Sequence, residues 1–221
     1  MLVSPCQPHR YVFRFLIHAE VSNNSQNDLI TWIIDTAPKH LNWTSRRITC
    51  EIIAIWFGSV HALSSTVTYA LYDLCSYKEY LAPLRAEIAS PEFEKLMQTT
   101  QGMPLLDSFM KESTRLNPME AMSGRRQALK DFSYSDGTKV RKGDWTCVPA
   151  KAILHDDAFF PDAQNFNGFR FVHPDLRPGT IKSATQPEGP SKFVTISPNY
   201  HNWGIGHIVW YVHFPSRSSG K

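Results

Sequence analysis

Two side chains of opposite charge stand three residues apart on one predicted helix. Glu112 and Arg115 lie in the stretch from Pro104 to Leu116, which begins with a proline and ends before Pro118. Residues spaced by three share one face of a helix, so this carboxylate and this guanidinium can form an ion pair. At a protein surface such a pair contributes only about 0.3–0.5 kcal/mol. The spacing alone therefore predicts a contact and no reaction.

The cysteines are the other groups with chemistry of their own. Cys6, Cys50, Cys75 and Cys147 are far apart, with no Cys-x-x-Cys pair and no histidine at zinc-finger spacing. Four dispersed cysteines in 221 residues do not make a disulfide-stabilised scaffold, which favours a reducing compartment. We predict no metal site and expect the thiols to be buried or inert.

The elements that would position these groups are mostly helices. Apolar residues at helical spacing predict a helix over residues 28–37, and similar patterns follow at 47–75, 81–88 and 104–116. An Asp-Gly pair at 136–137, between two short extended runs, predicts a two-residue hairpin turn. Gly, Pro, Asn and Ser are frequent from Pro161 to Pro198, which predicts irregular coil. The fold class is therefore mainly α with a small β-sheet.

One predicted helix has an unusual stretch without charge. Residues 52–72 contain no Asp, Glu, Lys or Arg, which is long enough in principle to cross a bilayer. His61 and several serine and threonine hydroxyls interrupt its apolar surface, and Glu51 and Asp73 flank it. This mixed polarity predicts a helix buried in protein rather than one that faces lipid.

The overall composition excludes some classes of partner. Hydrophobic residues make up 42% of the chain and charged residues 19%, so the chain can bury a core. The net charge is only +3, from 23 basic and 20 acidic residues, and no run of Lys and Arg is longer than two residues. The sequence therefore predicts no binding to nucleic acid.

Several of these segments, in this order, resemble the cytochrome P450 family. Residues 111–118 (KESTRLNP) resemble its K helix, and residues 132–149 resemble the small sheet that follows. Residues 155–171 resemble the coil that ends in the family's Pro-x-Arg-Phe motif, and residues 58–74 resemble its long I helix. Residues 193–207 resemble the segment that leads into the haem-binding loop. The resemblance implies a partial cytochrome P450 fold, with helices corresponding to I, J and K and the meander coil.

The resemblance assigns a structural role to the charged pair. In the family, the Glu and Arg of the K helix and a later Arg form a buried hydrogen-bonded triad. By position these residues are Glu112, Arg115 and Arg170. One carboxylate has enough lone pairs for two guanidinium groups, so the triad is physically reasonable.

The resemblance also implies a haem cofactor, but the residues of the loop depart from the family pattern. Trp203 and Gly206 stand at the family's Phe and Gly positions, and with Gly204 and His207 they form the start of the loop. The family's iron-binding cysteine then falls on Trp210. An indole nitrogen has no free lone pair for iron, so we predict no metal ligand there and expect haem binding to be impaired.

The I helix departs from the family pattern as well. The resemblance places His61 and Ala62 where the family usually has an acid or amide followed by threonine, the two residues that help to activate dioxygen. A histidine can relay protons, whereas an alanine side chain cannot form a hydrogen bond. The alternative for His61 is a polar residue on a packed helix, without a role in chemistry.

These matches divide the chain into three parts. Residues 1–27 do not match, residues 28–207 form the partial cytochrome P450 domain, and residues 208–221 are an unrelated tail. We expect the chain to begin part-way through the family fold, without a clear membrane anchor. The family is usually anchored in the endoplasmic reticulum membrane, and the localisation of this chain stays open.

Three functions remain as hypotheses. The resemblance implies a haem-thiolate monooxygenase that inserts one oxygen atom into a small apolar substrate, with electrons from a reductase, often in secondary metabolism. Because the cysteine is replaced, we expect this chain itself to be inactive. The alternatives are a non-catalytic remnant or misspliced gene product, and a helical interaction module.

Overall fold

The computed structural model describes residues 29–204 apart from 39, 41–42, 92, 94–101 and 180–190. The described residues divide into two compact units, one that ends at Ser64 and one that begins at Ser65. In the first unit α1 spans Leu29–Thr36 and α2 spans Ser45–Trp56, and a π-helical turn follows over Phe57–His61. Helix α2 begins there because the hydroxyl of Thr44 accepts a hydrogen bond from the Arg47 amide at 3.3 Å.

A long helical run continues from α2 through the π turn into α3, Ala62–Ser76. Among the described residues, Ser45–Ser76 is the one helical segment long and apolar enough to cross a membrane, by length and composition only. Three of its large side chains, Trp56, Phe57 and Leu63, are 63%, 62% and 64% exposed. The prediction that this helix is buried is therefore wrong for most of its length.

Burial on α3 follows one edge of the helix. The buried residues are Thr66, Ala70 and Asp73, spaced by four and three; Leu74 beside them is partly buried, and most other residues of α3 are exposed. Mixed polarity therefore does not bury a helix by itself. The rest of the described chain supplies packing partners for only a narrow stripe of it.

The second unit is organised by α5, Pro104–Leu116, which has the predicted bounds. Pro104 stands in the first turn, where its missing N–H costs nothing. The next two amides, of Leu105 and Leu106, each donate to the carboxylate of Glu87 at 2.8 Å. Glu87 follows the 3-10 turn Lys78–Tyr80 and lies in α4, Leu81–Ile88. A carboxylate from another helix thus satisfies amides that have no backbone partner within α5.

Two apolar clusters contact α5. The first packs the rings of Tyr80, Phe109 and Phe169 together; its other buried members are Ala70, Leu84 and Val172. The second lies around Tyr200 and Phe171, and its other buried members are Leu154, Phe160 and Ala163. The coil therefore supplies as much of the core as the helices do.

The strands form two small antiparallel ladders instead of one sheet. Strand β1, Ser123–Gln127, pairs with β4, Trp145–Val148, and β2, Phe132–Ser133, pairs with β3, Lys139–Val140. The hairpin at 136–137 forms where it was predicted, but the amide of Tyr134 pairs with the carbonyl of Thr138, so the loop has three residues. Its Gly137 has φ +88°, the left-handed conformation that a three-residue loop requires.

The coil after α6, Ala150–Leu154, is fixed to α5 by the hydroxyl of Ser108. This hydroxyl donates to the carbonyl of Gly168 at 2.9 Å and accepts from the amide of Phe171 at 3.0 Å. The close approach leaves no room for a side chain at Gly168. A Cβ there would lie 2.8 Å from ring carbons of both Phe109 and Tyr80.

We expect Gly168→Ala to lower the free energy of unfolding by about 1–2 kcal/mol, because two buried rings must shift to admit one methyl group. Urea denaturation followed by circular dichroism measures the change. The control is Gly179→Ala, where a Cβ would meet no atom within 4 Å. Equal stabilities for the two variants would contradict the tight packing at Gly168.

Candidate functional site

The centre of the second unit is a fully buried carboxylate. Glu112 on α5 is 0% exposed, and its two oxygens accept from Nε and Nη2 of Arg115, both at 2.8 Å. Nε of Arg170 reaches the same two oxygens at 3.0 and 3.1 Å. The backbone amide of Asn167 adds a bond of 2.9 Å to Oε1. The structure thus brings together the three residues of the predicted triad.

The two guanidinium groups use their remaining N–H groups on backbone carbonyls. Nη1 of Arg115 donates to the carbonyls of Leu154 at 2.6 Å and Ala163 at 2.8 Å. Arg170 donates to three more carbonyls, those of Pro161, Asp162 and Asn165. Two cations around one anion leave an excess positive charge, and these carbonyl dipoles surround it. The cluster therefore joins α5 to the end of α6 and to the coil.

One residue of that coil has an unusual backbone. Asp162 has φ +57° and is the one non-glycine residue with positive φ in the part of the chain that the structure describes. Aspartate tolerates this conformation better than most residues. Its carboxylate accepts from Asn165 Nδ2 at 2.7 Å, and its carbonyl accepts from Arg170. These bonds offset a strain of about 1–3 kcal/mol and fix the turn around Arg170.

A buried lysine stands next to Glu112, and the sequence interpretation missed it. Lys111 is 2% exposed, and its ammonium donates to Ser191 Oγ at 2.8 Å and to the carbonyls of Lys192 at 3.0 Å and Thr195 at 3.3 Å. Its Nζ also lies 4.5–4.8 Å from the centres of two aromatic rings, those of Tyr200 and Phe171. A lysine in a helix normally indicates a solvent-facing position, so no local signal marked it.

Two more side chains attach the same coil to α5. The hydroxyl of Tyr200 lies 2.6 Å from Thr114 Oγ1 and donates to the carbonyl of Lys111 at 3.3 Å. The carboxylate of Asp107 accepts from the amide of Phe193 at 2.6 Å. Burial raises the pKa of Tyr200 and the pKa of Asp107 above their usual values. Tyr200 therefore stays a neutral hydrogen-bond donor at ordinary pH.

The residues predicted to begin the haem-binding loop lie at the end of this coil. Nε1 of Trp203 donates to the carbonyl of Phe193 at 2.9 Å, and the two rings pack edge to face. Gly204 has φ +77°, a conformation that favours glycine. Trp203 and Gly204 thus follow the coil that Lys111 and Thr114 hold against α5. The other predicted loop residues, Gly206, His207 and Trp210, lie outside the described residues.

The predicted oxygen-activation pair belongs to the first unit. His61 ends the π-helical turn Phe57–His61, and its ring stacks on that of Phe57 with centroids 5.2 Å apart. Ala62 is the first residue of α3. Single π turns inside α-helices frequently occur at functional sites. The role of this pair stays a prediction.

A second buried carboxylate lies on α3. Asp73 Oδ2 accepts from the Ser113 hydroxyl at 2.6 Å, and Asn117 Nδ2 lies 3.5 Å from it. Burial raises the pKa of Asp73, the Ser113 hydrogen bond offsets part of this rise, and the nearby charge of Glu112 adds to it. The protonated acid is therefore favoured more in the folded chain than in the unfolded one.

This shift predicts how stability depends on pH. Because the folded pKa of Asp73 is raised, its contribution to stability is complete below the ordinary value of 3.8 and is lost as pH rises through the folded pKa. In Asp73→Asn the side chain stays neutral and its oxygen can still accept from Ser113. The variant should match the parent within about 0.5 kcal/mol at low pH and exceed its stability at neutral pH.

The measurement is urea denaturation of the parent and of Asp73→Asn at a series of pH values from below 3.8 to neutral. Asp136→Asn serves as the control. Hydrogen bonds from Thr138 lower the pKa of exposed Asp136, so the pH dependence of its contribution to stability has the opposite sign. The contribution of Asp136 is present above its unfolded pKa and is lost as pH falls. A stability of Asp73→Asn that runs parallel to that of the parent at every pH would contradict the prediction.

The side chains around Glu112 stabilise the packing of α5 against the coil, and they supply no group that could react with a substrate. Every oxygen of Glu112 is engaged, and the guanidinium groups that surround it are 0–1% exposed. In the described part of the chain, no three His, Cys, Asp or Glu side chains are grouped so that they could hold a metal ion. Cys147 lies exposed on β4, with its Sγ 3.6 Å from Met122 Sδ. This site can fix the coil that follows α6 to α5, and reactivity would have to come from a bound group.

Comparison with known proteins gives consistent matches. The family model "Cytochrome P450" matches residues 15–185. "Cytochrome P450 monooxygenase paxQ" of Penicillium paxilli is 33% identical over 171 residues, 72% of this chain and 32% of its own length. "Cytochrome P450 monooxygenase atmQ" of Aspergillus flavus is 35% identical over 186 residues, 82% of this chain and 34% of its own length. The chain thus spans about a third of the length of these curated relatives.

A solved structure shows the same fold. The retinoic acid bound cyanobacterial CYP120A1 superposes with a TM-score of 0.64 over 86% of this chain and 40% of its own, at 19% sequence identity. At that identity the likeness concerns the fold alone. The predicted fold class, mainly α with small antiparallel ladders, is confirmed.

Proposed function

The chain belongs to the cytochrome P450 family, and on this basis we propose that it carries the K-helix and coil portion of a haem-thiolate monooxygenase of the fungal type. The single observation that supports this most directly is the buried cluster of Glu112, Arg115 and Arg170, which fixes the coil to α5. Such an enzyme would insert one oxygen atom into a small apolar substrate with electrons from a reductase. Its place would be in secondary metabolism.

The residues of this chain do not fit the haem that the family implies. When it is bound, the haem supplies the oxygen chemistry and the protein supplies a cysteine thiolate to the iron. In the sequence the cysteine position falls on Trp210, and no cysteine follows Cys147. Cys147 itself is paired into a ladder, opposite the irregular part of β1. We therefore propose that this chain, with this sequence, does not carry out the oxygenation.

An absorption spectrum tests this proposal. The purified chain is expressed with added haem, reduced and exposed to carbon monoxide, and we expect no long-wavelength Soret band of a thiolate-bound iron. A band that appears in the parent and disappears in Cys147→Ala would contradict the proposal, because Cys147 would then be the ligand. The matched variant is Trp210→Cys. If it gains the band that the parent lacks, the assignment of Trp210 to the cysteine position is supported.

A further inference from the structure

The peptide between Asn167 and Gly168 combines a reactive sequence with close attachment to α5. It is the one Asn-Gly pair in the chain. The backbone nitrogen that follows an asparagine can attack the Cγ atom of its side chain, and glycine hinders this attack least because it has no side chain. Asparagine is accordingly among the chemically labile residues of proteins.

The reaction needs water and no other reagent. The Gly168 nitrogen forms a bond to Cγ of Asn167, and the proton of this nitrogen leaves with the side-chain NH2 as ammonia, which closes a succinimide ring. Water then opens the ring at one of its two carbonyl carbons. Opening at Cγ gives aspartate. Opening at the main-chain carbonyl gives isoaspartate, in which the backbone runs through the side chain and is longer by one methylene group.

The folded coil opposes the first step, because hydrogen bonds fix the peptide on both sides. The Asn167 amide donates to Glu112 Oε1 at 2.9 Å, and the Asn167 carbonyl accepts from the Arg170 amide at 2.9 Å. The Gly168 carbonyl accepts from the Ser108 hydroxyl at 2.9 Å. To attack Cγ, the peptide must rotate, which would break the turn between residues 167 and 170 and displace the Gly168 carbonyl from Ser108.

The attacking nitrogen is itself engaged. Burial raises the pKa of Tyr80, and a hydrogen bond from the Gly168 backbone offsets part of this rise. A bond that lowers the pKa of a phenol is donated to its oxygen, and in a glycine backbone only the N–H can donate. The rings of Tyr80 and Phe109 also lie so close that a Cβ at Gly168 would approach each of them to 2.8 Å. The peptide therefore has little room to turn while the coil is folded.

An isoaspartate at this position does not fit the folded coil. Ser108 and Glu112 are one turn apart on α5, and they bind two adjacent residues of the coil. An additional methylene group between these two bonds moves one of them out of reach, and the closely packed rings leave no space for it. The modified coil thus loses part of its attachment to α5.

We propose that Asn167–Gly168 is a covalent modification site, that the folded cluster of Glu112, Arg115 and Arg170 protects it, and that its conversion to isoaspartate makes opening of this cluster irreversible. Each opening frees the peptide to rotate, and water completes the reaction. The altered coil cannot return to α5. The lifetime of the folded chain is then set by how often the cluster opens.

The test is incubation of the full chain at mildly alkaline pH, with and without denaturing guanidinium chloride, followed by peptide mass spectrometry at Asn167. An isoaspartate-specific methyltransferase with labelled S-adenosylmethionine identifies the product. We expect conversion in the denaturant and a rate at least about 100-fold lower in the folded chain, because a buried cluster opens rarely. Asn165 is the internal control. It lies in the same coil, but the side chain of Phe166 hinders the attack, so it should not convert.

Two variants connect the rate to the contacts with α5. Without denaturant, Glu112→Gln should convert at least about 10-fold faster than the parent, and Ser108→Ala about 3- to 10-fold faster. In denaturant both should convert at the rate of the parent, because the chemistry of the Asn-Gly pair is unchanged. When the denaturant is removed from a partly converted sample, the compact fraction from size-exclusion chromatography should be depleted of isoaspartate.

Three results would overturn the proposal. Equal rates with and without denaturant, or unchanged rates in both variants, would show that the cluster does not protect the pair. No conversion at Asn167 in denaturant would show that the pair is unreactive. A compact fraction as rich in isoaspartate as the sample from which it refolded would show that the modification does not prevent the return of the coil.

Discussion

Glu112→Gln will lower the free energy of unfolding by about 3–5 kcal/mol, because it removes the only negative charge between two buried guanidinium groups. The amide keeps the size of the carboxylate but has one acceptor oxygen in place of two. Its NH2 group would then face N–H groups of Arg115 and Arg170, at distances now near 3 Å. Both arginines are 0–1% exposed, so water cannot take the place of the lost acceptor.

This loss is a large fraction of the total stability of a domain, about 5–15 kcal/mol. Urea denaturation of parent and variant measures it. Glu120→Gln is the control. The carboxylate of Glu120 is 61% exposed and its ion pair with Arg125 is long, at 3.9 Å, so this substitution should change stability by less than about 0.5 kcal/mol. A loss at Glu112 no greater than the loss at Glu120 would show that the cluster does not stabilise the fold.

Lys111→Met will lower the free energy of unfolding by roughly 2–3 kcal/mol and loosen residues 191–204. Methionine fills much of the same volume but provides no donor for Ser191 Oγ or for the carbonyls of Lys192 and Thr195. It also removes the cation from the rings of Phe171 and Tyr200. The cost is smaller than at Glu112, since these acceptors lie nearer to solvent and water can replace part of the lost bonding.

The local part of this prediction separates it from a general loss of stability. Amide hydrogen exchange, read by mass spectrometry, should become faster in residues 191–204 than in α5 itself. Lys78→Met, at an exposed position, should leave both the exchange and the unfolding transition unchanged. Uniformly faster exchange throughout the second unit would contradict a specific role of Lys111 in holding this coil.

The two predictions concern neighbouring residues with separate functions in the structure. Glu112 faces Arg115, Arg170 and the turn at Asp162, whereas Lys111 faces the coil that leads to Trp203. Consecutive residues of a helix point about 100° apart, so one helix can fix two different segments of coil. If Trp203 begins the haem-binding loop, Lys111 is one of the residues, together with Asp107 and Thr114, through which α5 would position it.

The sequence by itself determined the features that depend on neighbouring residues. Helix α5 has the predicted bounds because Pro104 starts it and Asn117-Pro118 stops it, and both effects act within one turn. The hairpin at Gly137 formed for the same reason, although the loop gained one residue. The partnership of Glu112 with Arg170, 58 residues away, came from the resemblance to a family and not from spacing.

Only the tertiary structure decided which side chains are buried. Lys111 looks like a surface residue in the sequence and is enclosed by coil from residues 191–200, while the uncharged run at 52–72 looks like a core helix and is largely exposed. The cap of α5 likewise comes from Glu87, in another helix. Backbone preferences act over a few residues, whereas burial depends on which distant segments arrive at a surface, and no pattern local to Lys111 or to residues 52–72 contains that information.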